Sequence, residues 1–247
     1  MALRLVSYNI RKAIGIDGKR APGRILDVIN RLEADVVVLQ EADKRLGDRP
    51  TALPLRMIEG ETDLTVAPLA DNDVSLGWHG NAILVRKGID VSGTAQIDLP
   101  GLEPRGAVRV DVQSSEGALA VIGTHLALLR PWRRKQIDTI LSALNQSDIG
   151  ASVIAGDFNE WSETQGLERL HESHQILAPG KSFHARRPMA ALDRIALGHS
   201  LHVDNAGVDQ SMTARKSSDH LPVWADITPQ SDSLQAPKRP GKPGEAE

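Results

Sequence analysis

The sequence predicts an α/β (α+β) chain in which two mixed β-sheets carry helices on their outer sides. Three observations support this. Short β-branched runs outnumber helical patterns. Some neighbouring runs are separated by only a few residues, as in a hairpin; others are separated by a helix-length segment, as in a crossover. A chain that uses both kinds of connection calls for mixed sheets rather than a simple doubly wound one.

The first run, LRLVSY at 3–8, reads as a strand, and a glycine-bearing basic loop, KAIGIDGKRAPG, follows it. From Arg24 to Leu32 the residues Ile25, Val28, Ile29 and Leu32 fall on one face of a helix. DVVVLQ is a β-branched run of strand length, buried on both faces if central. Residues 42–78 hold prolines and scattered charges with little period. NAILVR at 81–86 is a strand; AVRVDV and ALAVIGT, joined by SSEG, form a hairpin with Val108, Val110 and Val112 inward. After Pro131, which suits a first helical turn, Ile137, Ile140, Leu141 and Leu144 mark an amphipathic helix. SVIAG, LDRIAL and PVWADI complete the strands. No repeat or mid-chain linker interrupts the pattern, so residues 1–228 are expected to form one domain. Residues 229–247 are rich in proline and charge with a single leucine, the composition of a disordered tail.

The net charge of −3 argues against a protein that holds nucleic acid by bulk charge, while a local basic groove stays open. With no cysteine there is no disulfide, thiolate zinc site or cysteine nucleophile. A metal site must then use oxygen and imidazole, which favours magnesium, manganese or calcium. The N-terminus lacks the apolar stretch of a secretory signal, and no window approaches the roughly 20 apolar residues of a membrane span, so a cytoplasmic protein is expected. The oligomeric state is left open, and a monomer is compatible with the sequence.

Polar residues recur at the ends of the apolar strands, where they cost desolvation unless they serve something. Asn9 ends the first strand, Glu41 follows VVVLQ, and His125 follows AVIGT. Asp157 and Asn159 follow SVIAG, Asp193 opens DRIAL, and Asp219-His220 precede LPVWADI. Singly, each has a bland account: Asn9 as a turn residue, Glu41 or Ser218-Asp219 as caps, His125 as a packed histidine. Asp157-Phe158-Asn159 reads equally as an Asx turn, and Asp193-Arg194 as a surface ion pair. Together these make a poor joint explanation, because carboxylates, amides and imidazoles without cysteine are the components of a hard-metal hydrolytic centre.

The words SYNI, LQEAD, GTHL, GDFN, LDRI and SDHLPV, in that order, resemble the endonuclease/exonuclease/phosphatase superfamily of DNase I-like metal-dependent phosphoesterases. The resemblance spans residues 3 to 228, and GDFN followed by SDHLPV is its specific part. It implies a four-layer sandwich, two sheets face to face with helices on both outer sides. It also implies that Glu41 is the principal ligand of Mg²⁺ or Mn²⁺, assisted by Asn9, with Asp219 completing the site. Asp157 would orient or deprotonate the attacking water, and Asn159 would fix substrate or nucleophile. His220, oriented by Asp193, would contact the phosphoryl group, with His125 opposite it across the scissile phosphate. The acid that orients the first histidine in some members has no evident match in WHGNAIL, where His79 or Asn81 takes its place. Gly156 would let backbone and substrate approach closely.

The expected activity is phosphoester hydrolysis, most simply of a diester. DNA cleavage is one alternative, less favoured by net charge, and a non-catalytic binding protein on the same fold is another. Arg20, Asn81, Arg105 and Arg187 are the candidate substrate contacts. Arg133 and Gln136 resemble a recurrent family pattern but also read as solvated helix surface. Trp78 and Trp161 are candidates to lie near the pocket.

Overall fold

The structure, a computed structural model, describes residues 3–230 except 46, 115–116 and 163–164. In chain order the first strands are β1 (Leu3–Asn9), β2 (Val36–Gln40), β3 (Leu64–Val66), β4 (Ala82–Arg86), β5 (Asp90–Leu99) and β6 (Arg105–Ser114). Then come β7 (Gly117–His125), β8 (Ala151–Asp157), β9 (His174–Leu177), β10 (Asp193–Gly198), β11 (Leu201–Val208) and β12 (Val223–Pro229). The helices are α1 (Pro22–Leu32), α2 (Leu55–Glu61), α3 (Arg130–Asn145), α4 (Glu168–His171) and α5 (Met212–Ser217). Strand β12 takes in Pro229, one residue past the expected domain end; the rest of the expected tail, from 231, lies outside the described residues.

Two six-stranded sheets result, ordered β11-β12-β1-β2-β4-β3 and β5-β6-β7-β8-β10-β9. Each has one parallel pair at its centre, β1 with β2 and β7 with β8, and antiparallel neighbours elsewhere. Parallel neighbours need a crossover, and α1 and α3 supply the two. The alternation within each strand then sorts side chains into layers. Leu5, Val36, Val38, Val108, Val110, Val112, Val153 and Ile195 meet between the sheets. Val6, Tyr8, Val37 and Leu39 face outward beneath Ile25, Val28 and Ile29 of α1, and Ile122, Ile154 and Ala196 lie beneath Ile137 and Ile140 of α3. This is the sandwich of two mixed sheets, with helices outside, that the sequence led us to expect.

The strands without a sequence signal are mostly edges. β5 buries only two of its residues and β11 only Leu201, so neither needs the alternation that betrays a half-buried strand. Residues 42–78, unassigned from sequence, contain α2 and the short edge strand β3. Gly156 permits the close backbone approach expected of it. A Cβ there would stand 1.8 Å from the carbonyl oxygen of Thr124, so the backbone that approaches is that of the paired strand β7. Gly156→Ala is therefore expected to destabilise the fold by about 3 kcal/mol or more. A urea midpoint unchanged from the parent would show that the two strands do not sit this close.

Candidate active site

The register of the sheets gathers the polar strand ends at one edge. Asn9 pairs with Gln40, so Asn9 and Glu41 leave adjacent parallel strands together. In the second sheet His125 pairs with Asp157, and Asp157 pairs with Asp193 across the antiparallel partner. Between the sheets, the Asn9 amide donates from Nδ2 to Asp157 Oδ2 at 3.1 Å. Ser218 Oγ donates to the Asn9 carbonyl at 2.7 Å, which brings the SDH segment to the same place.

Asp157 is at the centre. Its Oδ1 accepts the Asn159 backbone N–H at 3.0 Å, and its Oδ2 lies 3.4 Å from His125 Nε2 and 3.6 Å from His220 Nε2. Asn159 donates from Nδ2 to the Leu126 carbonyl at 2.9 Å, tying the end of β8 to the residue after His125. His220 Nδ1 and Asp193 Oδ2 are 2.8 Å apart, and Ser182 Oγ donates to the same oxygen at 2.5 Å. The other oxygen, Asp193 Oδ1, is buried without a partner among the described residues.

The two histidines differ electrostatically. Burial alone would push His220 down, but the carboxylates of Asp193 and Asp157 outweigh it and raise its pKa to about 10. Burial pushes His125 down to about 3, with the charges of Arg105 and His220 adding to the effect against Asp157. At neutral pH, Asp157 therefore lies between one cationic and one neutral imidazole. The stability consequences are opposite in sign. His220 gains affinity for its proton on folding, so its contribution is complete below its ordinary value of 6.5 and is lost as pH rises through about 10. His125 loses affinity on folding, so its contribution is complete above 6.5 and is lost as pH falls through about 3. In urea titrations run in EDTA, His220→Gln is expected to flatten the alkaline limb of stability against pH, and His125→Gln the acid limb. Parallel profiles for both variants and the parent would contradict this.

Glu41 and Asp219 flank this centre, each facing a cation. The Lys12 ammonium sits on Glu41 Oε2, Arg45 lies 3.5 Å from Oε1, and Arg11 Nε lies 3.4 Å from Asp219 Oδ2. Arg11, Lys12, Glu41 and Asn159 all have positive φ, between 46° and 56°, a left-handed backbone uncommon outside glycine that persists only where surroundings impose it. Asp157, Asp193 and His220 also bring three candidate ligand atoms within 4.8 Å of one another. There, however, the three groups already answer one another, His220 Nδ1 with Asp193 Oδ2 at 2.8 Å and His220 Nε2 facing Asp157 Oδ2 at 3.6 Å. Glu41, Asn9 and Asp219 offer hard oxygens, and the cations beside Glu41 and Asp219 mark where positive charge is favoured, a donor set that fits a hard divalent cation.

The other sequence candidates are distributed around the centre. Arg105 is buried at the start of β6 and lines a cleft of about 230 Å³ that Glu41 and His125 also line. Asn81 is buried and donates to the Gly106 carbonyl at 2.9 Å, while His79 Nδ1 is 2.8 Å from Arg49 Nη1, so both are engaged away from His125. Arg20 donates to the Lys12 carbonyl at 3.0 Å on the loop behind Glu41. Arg187 is exposed in the loop before β10, its backbone N–H donating to the His184 carbonyl at 2.8 Å. Arg133 and Gln136 are buried rather than solvated: Gln136 Oε1 accepts from Ala127 N, and Arg133 pairs with Glu160 Oε2 at 2.6 Å. Trp78 packs against His79 with ring centroids 4.6 Å apart. Trp161 is 64% exposed and meets Phe183 edge-on, and the Phe183 ring lies 4.8 Å from that of His220. Sequence reasoning missed Lys12, Arg45, Ser182 and Phe183. Lys12 sits three residues past Asn9 in the basic loop, but nothing in the sequence marks the other three.

Comparison with known proteins places the fold and the family. The model of the Endonuclease/Exonuclease/phosphatase family matches residues 6–220, and the chain belongs to that family. It is 27% identical to the uncharacterized protein YbhP of Escherichia coli K12, over 92% of this chain and 96% of that one. The fold matches an endonuclease/exonuclease/phosphatase from Bacteroides vulgatus with TM-score 0.74 at 16% identity, over 93% of this chain and all (100%) of that one. It also matches D. rerio TDP2, solved with a single-strand DNA product, with TM-score 0.71 at 16% identity, over 92% and 99% of the two chains. Among the described residues no helix is long and apolar enough to cross a membrane.

Proposed function

We propose that this protein is a divalent-metal-dependent phosphodiesterase in which water attacks phosphorus in line with the leaving group. The observation that carries the reading is Asp157, a buried carboxylate between a cationic and a neutral imidazole and anchored by Asn9 and Asn159. Asp157 takes the proton from water. His220, charged and fixed by Asp193, donates from Nε2 to a non-bridging oxygen as negative charge accumulates there. His125 bounds the phosphate on the other side, and Asn159 orients the nucleophile. Glu41, with Asn9 and Asp219, would hold Mg²⁺ or Mn²⁺, which would supply Lewis-acid stabilisation of the same charge. Arg105 receives an anionic part of the substrate, with Arg20 and Arg187 as outer contacts; Asn81 acts by fixing the strand that carries Arg105. A cytoplasmic monomer is part of this reading.

The alternative of a nuclease draws support from the TDP2 likeness, in which the neighbour holds a DNA strand. The assay that separates these readings is hydrolysis of bis-p-nitrophenyl phosphate and p-nitrophenyl phosphate with Mg²⁺, with Mn²⁺ and with EDTA, followed by single- and double-stranded DNA. Metal-dependent cleavage of the diester is expected, with the monoester slower. Cleavage of neither ester and no DNA would leave a binding protein on a hydrolase fold.

A further inference from the structure

We propose that the cleft beside Glu41 and His125 is a second anion subsite, built by Arg49, His79 and Arg105, and that the substrate carries a further phosphate beyond the one cleaved. The inference rests on the phosphodiesterase reading for its substrate half, while the binding half stands on geometry alone.

The cleft, of about 230 Å³, begins where the catalytic centre ends: Glu41 and His125 form its inner wall, whereas Asn9, Asp157, Asp193 and His220 take no part in its lining. That volume holds several groups the size of a water molecule (about 30 Å³ each in the liquid), enough for a phosphate and its linkage. Five cationic side chains line it, Lys12, Lys44, Arg45, Arg49 and Arg105, against three carboxylates, Glu41, Asp43 and Glu103. Glu41 already answers Lys12 and Arg45, and Asp43 is buried and turned toward the backbone N–H of Leu76, at 2.7 Å. The positive charge facing the cleft is therefore incompletely matched.

Two of the cations are poorly satisfied. Arg105 is only 8% exposed, and a buried guanidinium needs acceptors for its donors. Its Nη2 reaches Glu103, on the solvent rim, at 2.9 Å, but its Nε is buried with no partner among the described residues. Arg49 ion-pairs with no carboxylate among the described residues and instead meets His79 Nδ1 at 2.8 Å. Guanidinium can only donate, so Nδ1 accepts and the ring proton lies on Nε2, making His79 a donor as well.

Both members of that pair are held in a costly backbone conformation, with φ of 51° at Arg49 and 49° at His79. The turn at His79 is closed on each side by Trp78–Asn81 backbone hydrogen bonds of 2.9 Å. Such conformations persist where the surroundings fix them, often at ligand sites. Two guanidinium groups and an imidazole N–H lining a cleft of phosphate size suit a phosphate group, and guanidinium matches phosphate oxygens two at a time.

The test is a titration of the full chain in EDTA with pyrophosphate, orthophosphate and sulfate, read from the His79 ring resonances assigned through His79→Gln. Saturable movement of His79 is expected, strongest with pyrophosphate if a phosphate linkage is recognised. Arg49→Gln should weaken the affinity about ten-fold or more. The exposed Lys44→Ala should weaken it less, and it serves if Arg49→Gln fails to fold. His220→Ala should keep the His79 response, since the subsite lies outside the catalytic centre. Pyrophosphate that moves His220 but not His79, or an Arg49→Gln affinity equal to the parent's, would overturn the proposal. Diester hydrolysis without a His79 response removes only the subsite. A His79 response without hydrolysis removes only the phosphodiesterase reading.

Discussion

Replacing His220 with alanine is expected to lower kcat on bis-p-nitrophenyl phosphate by about a hundred-fold or more, the usual cost of losing one donor aimed at developing negative charge. The expectation follows from the geometry around Asp193. That carboxylate is fully buried, receives Ser182 and His220 on one oxygen, and outweighs the burial penalty that would otherwise strip the imidazole of its proton. Asp193→Asn keeps the volume but removes the charge, so it should lower kcat through His220 rather than through unfolding. The double variant should then be little worse than His220→Ala alone, because residues acting as one unit are strongly non-additive. Independent multiplication of the two effects would show that Asp193 does not act through His220. Loss of kcat from Asp193→Asn without any change in the alkaline pH profile would show the same.

Glu41→Gln is expected to weaken Mn²⁺ binding by on the order of a hundred-fold, since even outer partners of a metal site often matter by ten- to hundred-fold. The amide preserves shape and removes the charge that hard cations require. Lys12 and Arg45 would lose their partner too, but both pairs are partly exposed, so the fold should be little affected. Calorimetric titration with Mn²⁺, with a melting curve as control, reads both effects. An unchanged Mn²⁺ affinity would move the metal to other ligands.

Most of the frame was legible because the buried strands are short and end abruptly. The cores VVVL, AVIG and VIAG are apolar to within one residue of the point where the site begins, so the polar residues at their ends stood out. The edge strands β5 and β11 were not legible, since a strand that buries only one or two residues and carries a bulge lacks the period-two signal of a half-buried one. Arg133 and Gln136 misled for a different reason. Their charged neighbours Arg134 and Lys135 are exposed, and sequence cannot reveal that Glu160, next to Asn159, draws Arg133 inward. The left-handed residues at Lys12, Glu41 and His79 carry no sequence mark either, because tertiary contacts rather than local preference impose them.

The path of the chain through the two sheets bears on how the active protein comes into being. Residues 90–198 supply every strand of the second sheet, while the first is assembled from both flanks of that stretch. The proposed catalytic set divides along the same line: His125, Asp157, Asn159 and Asp193 come from the inner stretch, and Asn9, Glu41, Asp219 and His220 from the flanks. Neither portion carries the whole proposed set. A nascent chain has no working centre until β12 reaches β1, which pairs Leu3 with Ile227 and seats His220 against Asp193. Closing so long a loop is slow, and activity should therefore be the last property a refolding sample recovers.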